Sequence, residues 1–312
     1  MNFCKVLLVK YFMRKILRFI KPLICFLLCV AVCLTFSLIA FKNEETSNAQ
    51  EGAVLKLWQI DNFEGGKGSR AEYLKQLGEK FSKESGCFIS VTALSAEAAS
   101  LSLADGNIPD LISYGAGICG IESYISSYTT WCHGGYCLLT LDESCDFSDI
   151  NSENTIINEG KDNFAGAAAL MIGLKGAKYE KSTSAYVRLI NGDYKYMLGT
   201  QRDIFRLKTR GVSFAVKPIS QYNDLYQNIS LTQNCEHKRQ ANEFINFILS
   251  KSSDIVKLGM IANGTVYEDE MKVMTGLEYE YILTSPISLD TRKQFEKLIS
   301  DGDINMLKNL LK

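Results

Sequence analysis

Pro22 to Phe41, PLICFLLCVAVCLTFSLIAF, holds no charged residue. At about 1.5 Å rise per residue, a helix of this length spans the hydrocarbon core of a bilayer. A basic head precedes it, with Lys5, Lys10, Arg14, Lys15, Arg18 and Lys21 and no acid. The first charges after it are Lys42, Glu44 and Glu45. Positive residues stay on the cytoplasmic side, so the body that follows is expected outside the cytoplasm and associated with the membrane. Residues 1–41 fit either a cleaved signal peptide or a retained anchor. The run exceeds a usual signal core, and its cleavage signals are poor, because Leu38 stands where a small residue is wanted before Ala40. Val32 before Cys33 also departs from a lipid-attachment signal. Met13 begins a shorter segment of the same kind, so both Met1 and Met13 stand as starts. Residues 42–51 are polar and read as a linker.

The rest has an ordinary globular balance. The 312 residues are 46% hydrophobic and 22% charged, with net charge −1, which gives no basic face for nucleic acid. His133 and His237 are the whole histidine complement, which argues against imidazole catalysis and multi-histidine metal sites. The cysteines beyond the apolar run are Cys87, Cys119, Cys132, Cys137, Cys145 and Cys235. Outside the cytoplasm they permit disulfides, and Cys132 with Cys137, flanking Gly134-Gly135, is the nearest local pair. Free thiols are the other reading. Zinc held by Cys132, His133 and Cys137 would lack a fourth ligand.

Val54–Ile60, VLKLWQI, alternates and is rich in β-formers, so a strand is expected. A glycine-rich loop, Asp61 to Arg70, follows. Ser69 and Glu72 have capping-box spacing, Leu74, Leu77 and Phe81 share one helical face, and Gly86 ends the helix. Cys87–Leu94 is the next strand, completing a βαβ unit with a parallel pair. A helix over Ser95–Leu103 leads to Asp110–Tyr114, a short apolar strand ended by Gly115 and typical of a buried parallel sheet. Trp131–Thr140, WCHGGYCLLT, reads as a turn into a strand. Ala165–Leu174 suits either a buried strand or a packed helix. A helix at Tyr186–Ile190, a strand at Lys195–Leu198 and a helix from Ile204 come next. Strands at Val212–Pro218 and Tyr226–Thr232 then precede an amphipathic helix over Arg239–Leu249 and a shorter one at Asp254–Met260. Two helices, Leu289–Ile299 and Asp303–Leu311, close the chain, with Asp290 and Asp303 at N-cap positions.

The order VLKLWQI, glycine loop, SRAEYLKQLGEKFSKES, CFISVTAL and ADGNIPDLISYG, followed by GTQRD and ISLTQ with RQANEFINFILS, resembles a known family. It is similar to the extracellular solute-binding proteins of ABC importers, family 1, the sugar-type group. The resemblance implies an α/β fold of the type II periplasmic-binding-protein kind, with two lobes around a central cleft. Residues 52–128 and 229–263 would form the first lobe, and 131–227 and 264–312 the second. The region between Leu141 and Ser182 is shorter than the family pattern, so the second lobe is expected to be reduced. The implied function is capture of a small solute, a carbohydrate first, for delivery to an ABC permease, with no catalysis and no cofactor.

In open α/β sheets, ligands lie beyond the carboxyl ends of the strands. Aromatic faces cover sugar rings, while carboxylates, amides and guanidinium groups bond hydroxyls. By position in the family pattern the candidates are Trp58, Asp61, Phe63 and Glu64 around the first loop, and Tyr114 after the third strand. Trp131 and Tyr136 flank the first crossing, and Gln201, Arg202 and Asp203 lie in the second lobe. The alternative is a membrane-anchored sensor or interaction domain of the same shape without transport. A hydrolase using Asp61 with Glu64 or Asp110 is a third reading, but no G-x-S-x-G or H-E-x-x-H supports hydrolytic chemistry. The Gly65–Ser69 loop lacks P-loop register, which argues against a nucleotide.

Overall fold

The computed structural model describes residues 52–60, 69–160, 164–251, 254–255, 259–260, 274 and 276–312. The apolar run, the linker, the first glycine loop and the helix expected at Asp254–Met260 lie wholly or largely outside these residues. Among the described residues, no helix is long and apolar enough to cross a membrane.

The βαβ start forms as expected. Strand β1 (Val54–Ile60), helix α1 (Arg70–Ser85) and strand β2 (Phe88–Leu94) place β1 and β2 in parallel, with Val54 opposite Phe88. Ser69 Oγ accepts from the Glu72 N–H at 3.1 Å, while the Glu72 carboxylate turns to Gln76. Gly86 ends the helix at φ 73°. Helix α2 (Ala96–Ala104), capped by Ser95, leads to β3 (Leu111–Gly115), parallel to β1 on its other side.

Strands β4 (Thr129–His133) and β5 (Tyr136–Thr140) follow. Then come β6 (Thr155–Glu159), α3 (Ala165–Met171), β7 (Lys178–Lys181), α4 (Ser182–Ile190), β8 (Tyr196–Thr200) and α5 (Gln201–Thr209). The chain continues through β9 (Ala215–Pro218), β10 (Tyr222–Asn223), β11 (Tyr226–Leu231) and α6 (Lys238–Ser250). It ends with β12 (Tyr281–Ile282), α7 (Leu289–Asp301) and α8 (Ile304–Leu310).

Among the described residues two five-stranded sheets form, ordered β2-β1-β3-β11-β4 and β7-β6-β8-β5-β9, with β10 and β12 as a separate pair. They share one scheme. A central strand has a parallel neighbour on each side, and an antiparallel strand lies beyond the second of these. The second sheet has as many strands as the first, which corrects the expected reduction of that lobe. The region between Leu141 and Ser182 looked thin because much of it is turn, yet it supplies β6, α3 and β7.

Both sheets are covered on both faces. In the first, Leu55, Leu57, Leu111, Trp131 and Ile229 pack under α1 and α6, while Trp58, Ile60, Ile112 and Tyr114 pack on α2. In the second, Tyr136, Leu138, Ile157 and Leu198 face α3, α7 and α8, and Cys137, Leu139, Ile156 and Met197 face α4 and α5. Strand period places successive side chains on opposite faces, so a strand inside such a sheet has no free side. Ala165–Met171 is a helix, packed by alanines against this second core.

Among the described residues no disulfide joins the cysteines. Cys132 joins the core under α1, and Cys137 the core under α4 and α5. That corrects the expected local pair: Gly134-Gly135 is a passage between sheets, and the two thiols end in different cores.

Candidate functional site

The parallel strands end at Ile60, Leu94 and Gly115 in the first sheet and at Glu159, Lys181 and Thr200 in the second. Of these, Gly115 and Thr200 adjoin the passages of the chain between sheets: Gln227 pairs with Gly115, the Ala116 N–H donates to the Tyr226 carbonyl, and Tyr136 pairs with Thr200. The first passage is Gly134–Gly135, which places β4 and Trp131 in the first sheet. The expected boundary at residue 131 therefore moves a few residues on. The second passage runs from Pro218 to Tyr226. The two are tied together, because Asn223 Nδ2 donates to the Gly134 carbonyl at 3.0 Å. From the second lobe, Gln201 Oε1 accepts from the Gly135 N–H at 2.9 Å, and the Gln201 N–H donates to the Gly135 carbonyl. Neither glycine has room for a side chain: a Cβ on Gly134 would strike the Gln201 amide, and one on Gly135 would lie 2.6 Å from Met274 Cε and Tyr279 Oη.

Half-buried aromatic rings gather here. His133 lies against Tyr226, with ring centres 5.6 Å apart. Its Nδ1 donates to the Gly134 carbonyl at 3.0 Å, and burial lowers its basicity, a shift the carbonyl partly offsets. A neutral ring with Nε2 left as an acceptor follows. Tyr279 brings its hydroxyl over Gly135, buried and, among the described residues, without a hydrogen-bond partner.

Beneath the crossings lies a buried carboxylate. Asp224 accepts from Tyr136 Oη at 2.7 Å and from the Phe164 N–H at 2.7 Å. It thus links the return passage, the first residues of β5 and the start of α3. Burial raises its pKa, against the lowering effect of Tyr136, the Phe164 N–H and Tyr222.

The first lobe reaches the second through Gly117, just past β3. Its N–H donates to the Ser285 carbonyl at 3.0 Å, and Arg292 Nη1 donates to its carbonyl at 3.3 Å. The Phe164 ring stacks on Phe295 at 4.9 Å and carries the Arg292 guanidinium 5.2 Å from its centre. Gly117 has φ 75°, and a Cβ there would lie 2.9 Å from Phe164 Cε2. Gly117→Ala is expected to cost about 1–2 kcal/mol for the left-handed backbone alone. Displacement of the Phe164 ring adds to that cost, and thermal unfolding reads the sum.

Most of the aromatic candidates are structural. Trp58 and Tyr114 pack in the core on α2, and Tyr114 Oη is 3.1 Å from Ser230 Oγ, with burial pushing that phenol up to about 12. Trp131 stacks parallel to Tyr73 and donates from Nε1 to Ser113 Oγ at 3.1 Å. Tyr136 is buried on Asp224. These four are corrected: in sheets covered on both faces their rings turn to helices, not to the cleft. Gln201 and Asp203 are buried as well. Asp203 completes a capping box with Thr200, accepts from Asn158 Nδ2 at 2.8 Å and pairs with Arg206 at 3.2 Å. Gln201 nevertheless stands at the crossing, and Arg202 is half-buried beside it at the start of α5. Asp61, Phe63 and Glu64 lie outside the described residues. The residues that composition and motif did not single out are Gln59, Asp224, Tyr226, Gln227 and Tyr279. Gln59 had a signal, since it is a polar residue on the buried stripe of Leu55 and Leu57.

No protein-family model and no curated sequence matches the chain. Solved structures do. Iron-bound HitA from Pseudomonas aeruginosa superimposes with a TM-score of 0.59 at 11% identity, covering 80% of this chain and 99% of that one. The substrate-binding domain of a putative molybdenum ABC transporter from Clostridium difficile gives 0.50 at 13% identity, covering 68% and 99%. The chain has the type II periplasmic-binding-protein fold.

Proposed function

We propose that the chain captures a small solute outside the cytoplasm and presents it to an ABC permease. The observation that carries this reading is that β3 of the first sheet, at Gly115, and β8 of the second, at Thr200, end beside paired crossings at Gly134–Gly135 and 218–226 that are bonded to each other. Short, jointly bonded crossings are where two lobes hinge, and a ligand held between them closes them. The two superimposing structures, named for iron binding and for substrate binding in molybdenum transport, support the same use of the fold. The segment Pro22–Phe41 supplies the export signal or tether. No step of chemistry on the ligand is part of this reading.

Within that function, a carbohydrate suits the crossing. His133, Tyr226 and Tyr279 offer ring faces, and His133 Nε2 and the Tyr279 hydroxyl offer polar groups for hydroxyls, while half-buried Arg202 stays a candidate beside them. The loop residues Asp61, Phe63 and Glu64 stay as candidates. Isothermal titration of the purified chain with monosaccharides and oligosaccharides, amino acids and peptides is the test. Saturable heat with one class is expected, and no heat with any of them sinks the proposal.

A further inference from the structure

Gln59 is fully buried, one residue short of the carboxyl end of β1. Its side chain shares the face of Leu55 and Leu57, where leucine would fill the space. Gln59 Nε2 donates to the Ile60 carbonyl at 3.3 Å and to Gln227 Oε1 at 3.4 Å. Gln227 Nε2 in turn donates to the Tyr226 carbonyl at 3.4 Å. Backbone carbonyls only accept, so both amides are fixed in orientation. Gln59 Oε1 therefore points away from these partners, buried and, among the described residues, with none of its own. A buried carbonyl left so costs about 1–3 kcal/mol, whereas an apolar group of the same shape costs nothing of the kind.

The place of this atom matters. Gln227 pairs with Gly115 across the sheet, so close that a Cβ on Gly115 would lie 3.0 Å from Gln227 Nε2. Two residues on, Gly117 meets the second lobe. Tyr226, next to Gln227, belongs to the aromatic group at the crossing. The orphan acceptor thus stands at the end of the first sheet that faces the second lobe.

We infer that Gln59 Oε1 is a ligand contact and that the captured solute supplies it with an O–H or N–H donor. This rests on the solute-capture reading and narrows it to hydroxylated or ammonium-bearing organic solutes. An oxyanion brings only acceptor oxygens, which the lone pairs of Oε1 repel, so the same atom selects against molybdate-like ligands. Sites built to hydrogen-bond a donor reject analogues that lack it.

The test uses the full chain in detergent micelles with four probes. These are mixed monosaccharides and disaccharides, mixed standard amino acids, sodium molybdate and ferric citrate. The sugar or amino-acid mixture is expected to bind, with affinity reduced at least about tenfold in Gln59→Leu, the worth of one good hydrogen bond. The thermal midpoint of that variant should be unchanged or higher. Gln59→Glu, which keeps the size, separates the sources: it strengthens an ammonium ligand and not a neutral sugar. It also reads the contact if Gln59→Leu does not fold. Binding of molybdate or ferric ion by the unaltered chain, or equal organic-solute affinity in Gln59→Leu, overturns the inference and leaves capture standing. Silence of all four probes overturns both.

Discussion

Trp131→Ala is expected to lower the unfolding free energy by about 3–5 kcal/mol, the usual cost of removing a large buried aromatic side chain. Trp131 is buried in the first lobe, parallel to the Tyr73 ring with centres 6.1 Å apart, and holds Ser113 Oγ through Nε1. Alanine would leave a cavity beneath α1, take away the stacking partner of Tyr73 and release the Ser113 hydroxyl. In a body of this size the loss corresponds to a fall in melting temperature of roughly 10 °C. Trp131→Phe, which keeps a ring against Tyr73 but no donor, should fall between. Differential scanning calorimetry reads both. A variant with native melting behaviour and weakened solute binding would instead return Trp131 to the cleft.

Asp224→Ala is expected to cost about 2–6 kcal/mol, because two buried donors lose their acceptor at roughly 1–3 kcal/mol each. The Tyr136 hydroxyl and the Phe164 N–H would be left buried without an acceptor. These groups lie on the return passage, β5 and the start of α3, so the damage falls on the frame of the crossings. Asp224→Asn keeps the shape but offers a single acceptor oxygen, so one of the two donors still loses its partner. Its pH dependence separates it from a simple packing defect. Burial raises the Asp224 pKa, so the folded chain holds that proton more tightly than the unfolded one. The resulting stabilisation is fully present below the unfolded carboxyl range, about pH 4, and is lost as pH rises through the raised value. Asparagine has no such proton. The stability gap between native chain and Asp224→Asn should therefore be widest in acid and shrink toward neutrality. A gap that widens instead would mean that the two donors hold the carboxylate ionised more strongly than burial opposes it.

Much of the architecture could be read from the chain. Val54–Ile60 forms its expected strand because alternation and β-branching agree, and Ser69 and Gly86 bound α1 because cap chemistry is local. Other features depend on distant partners. WCHGGYCLLT reads as a turn into a strand, and it becomes a passage between sheets because β11 pairs with β4 while β8 and β9 pair with β5. AGAAALM has no periodicity to read because six of its seven residues are buried, and small side chains let a helix lie flat on the second core. The cap of α7 is Ser288 and not Asp290, since the helix begins earlier, at Leu289; Asp303 caps α8 as expected.

The candidate site was harder to read for one physical reason. Choosing aromatic residues near strand ends assumes that one face of the strand is open, and both faces here carry helices. Trp58, Tyr114, Trp131 and Tyr136 therefore went to cores. The rings that gather at the crossing, Tyr226 and Tyr279, are brought there by chain passages that local pattern does not reveal.

The most direct measurement is a crystal structure of the protein purified with whatever solute it retains. The expected result is density for a small organic molecule between the carboxyl ends of the two sheets, beside Gly134–Gly135, with a hydroxyl or ammonium group on Gln59 Oε1. A solute seated on an outer face, or lobes whose facing ends stay in contact with each other while the solute sits elsewhere, would contradict capture by closure.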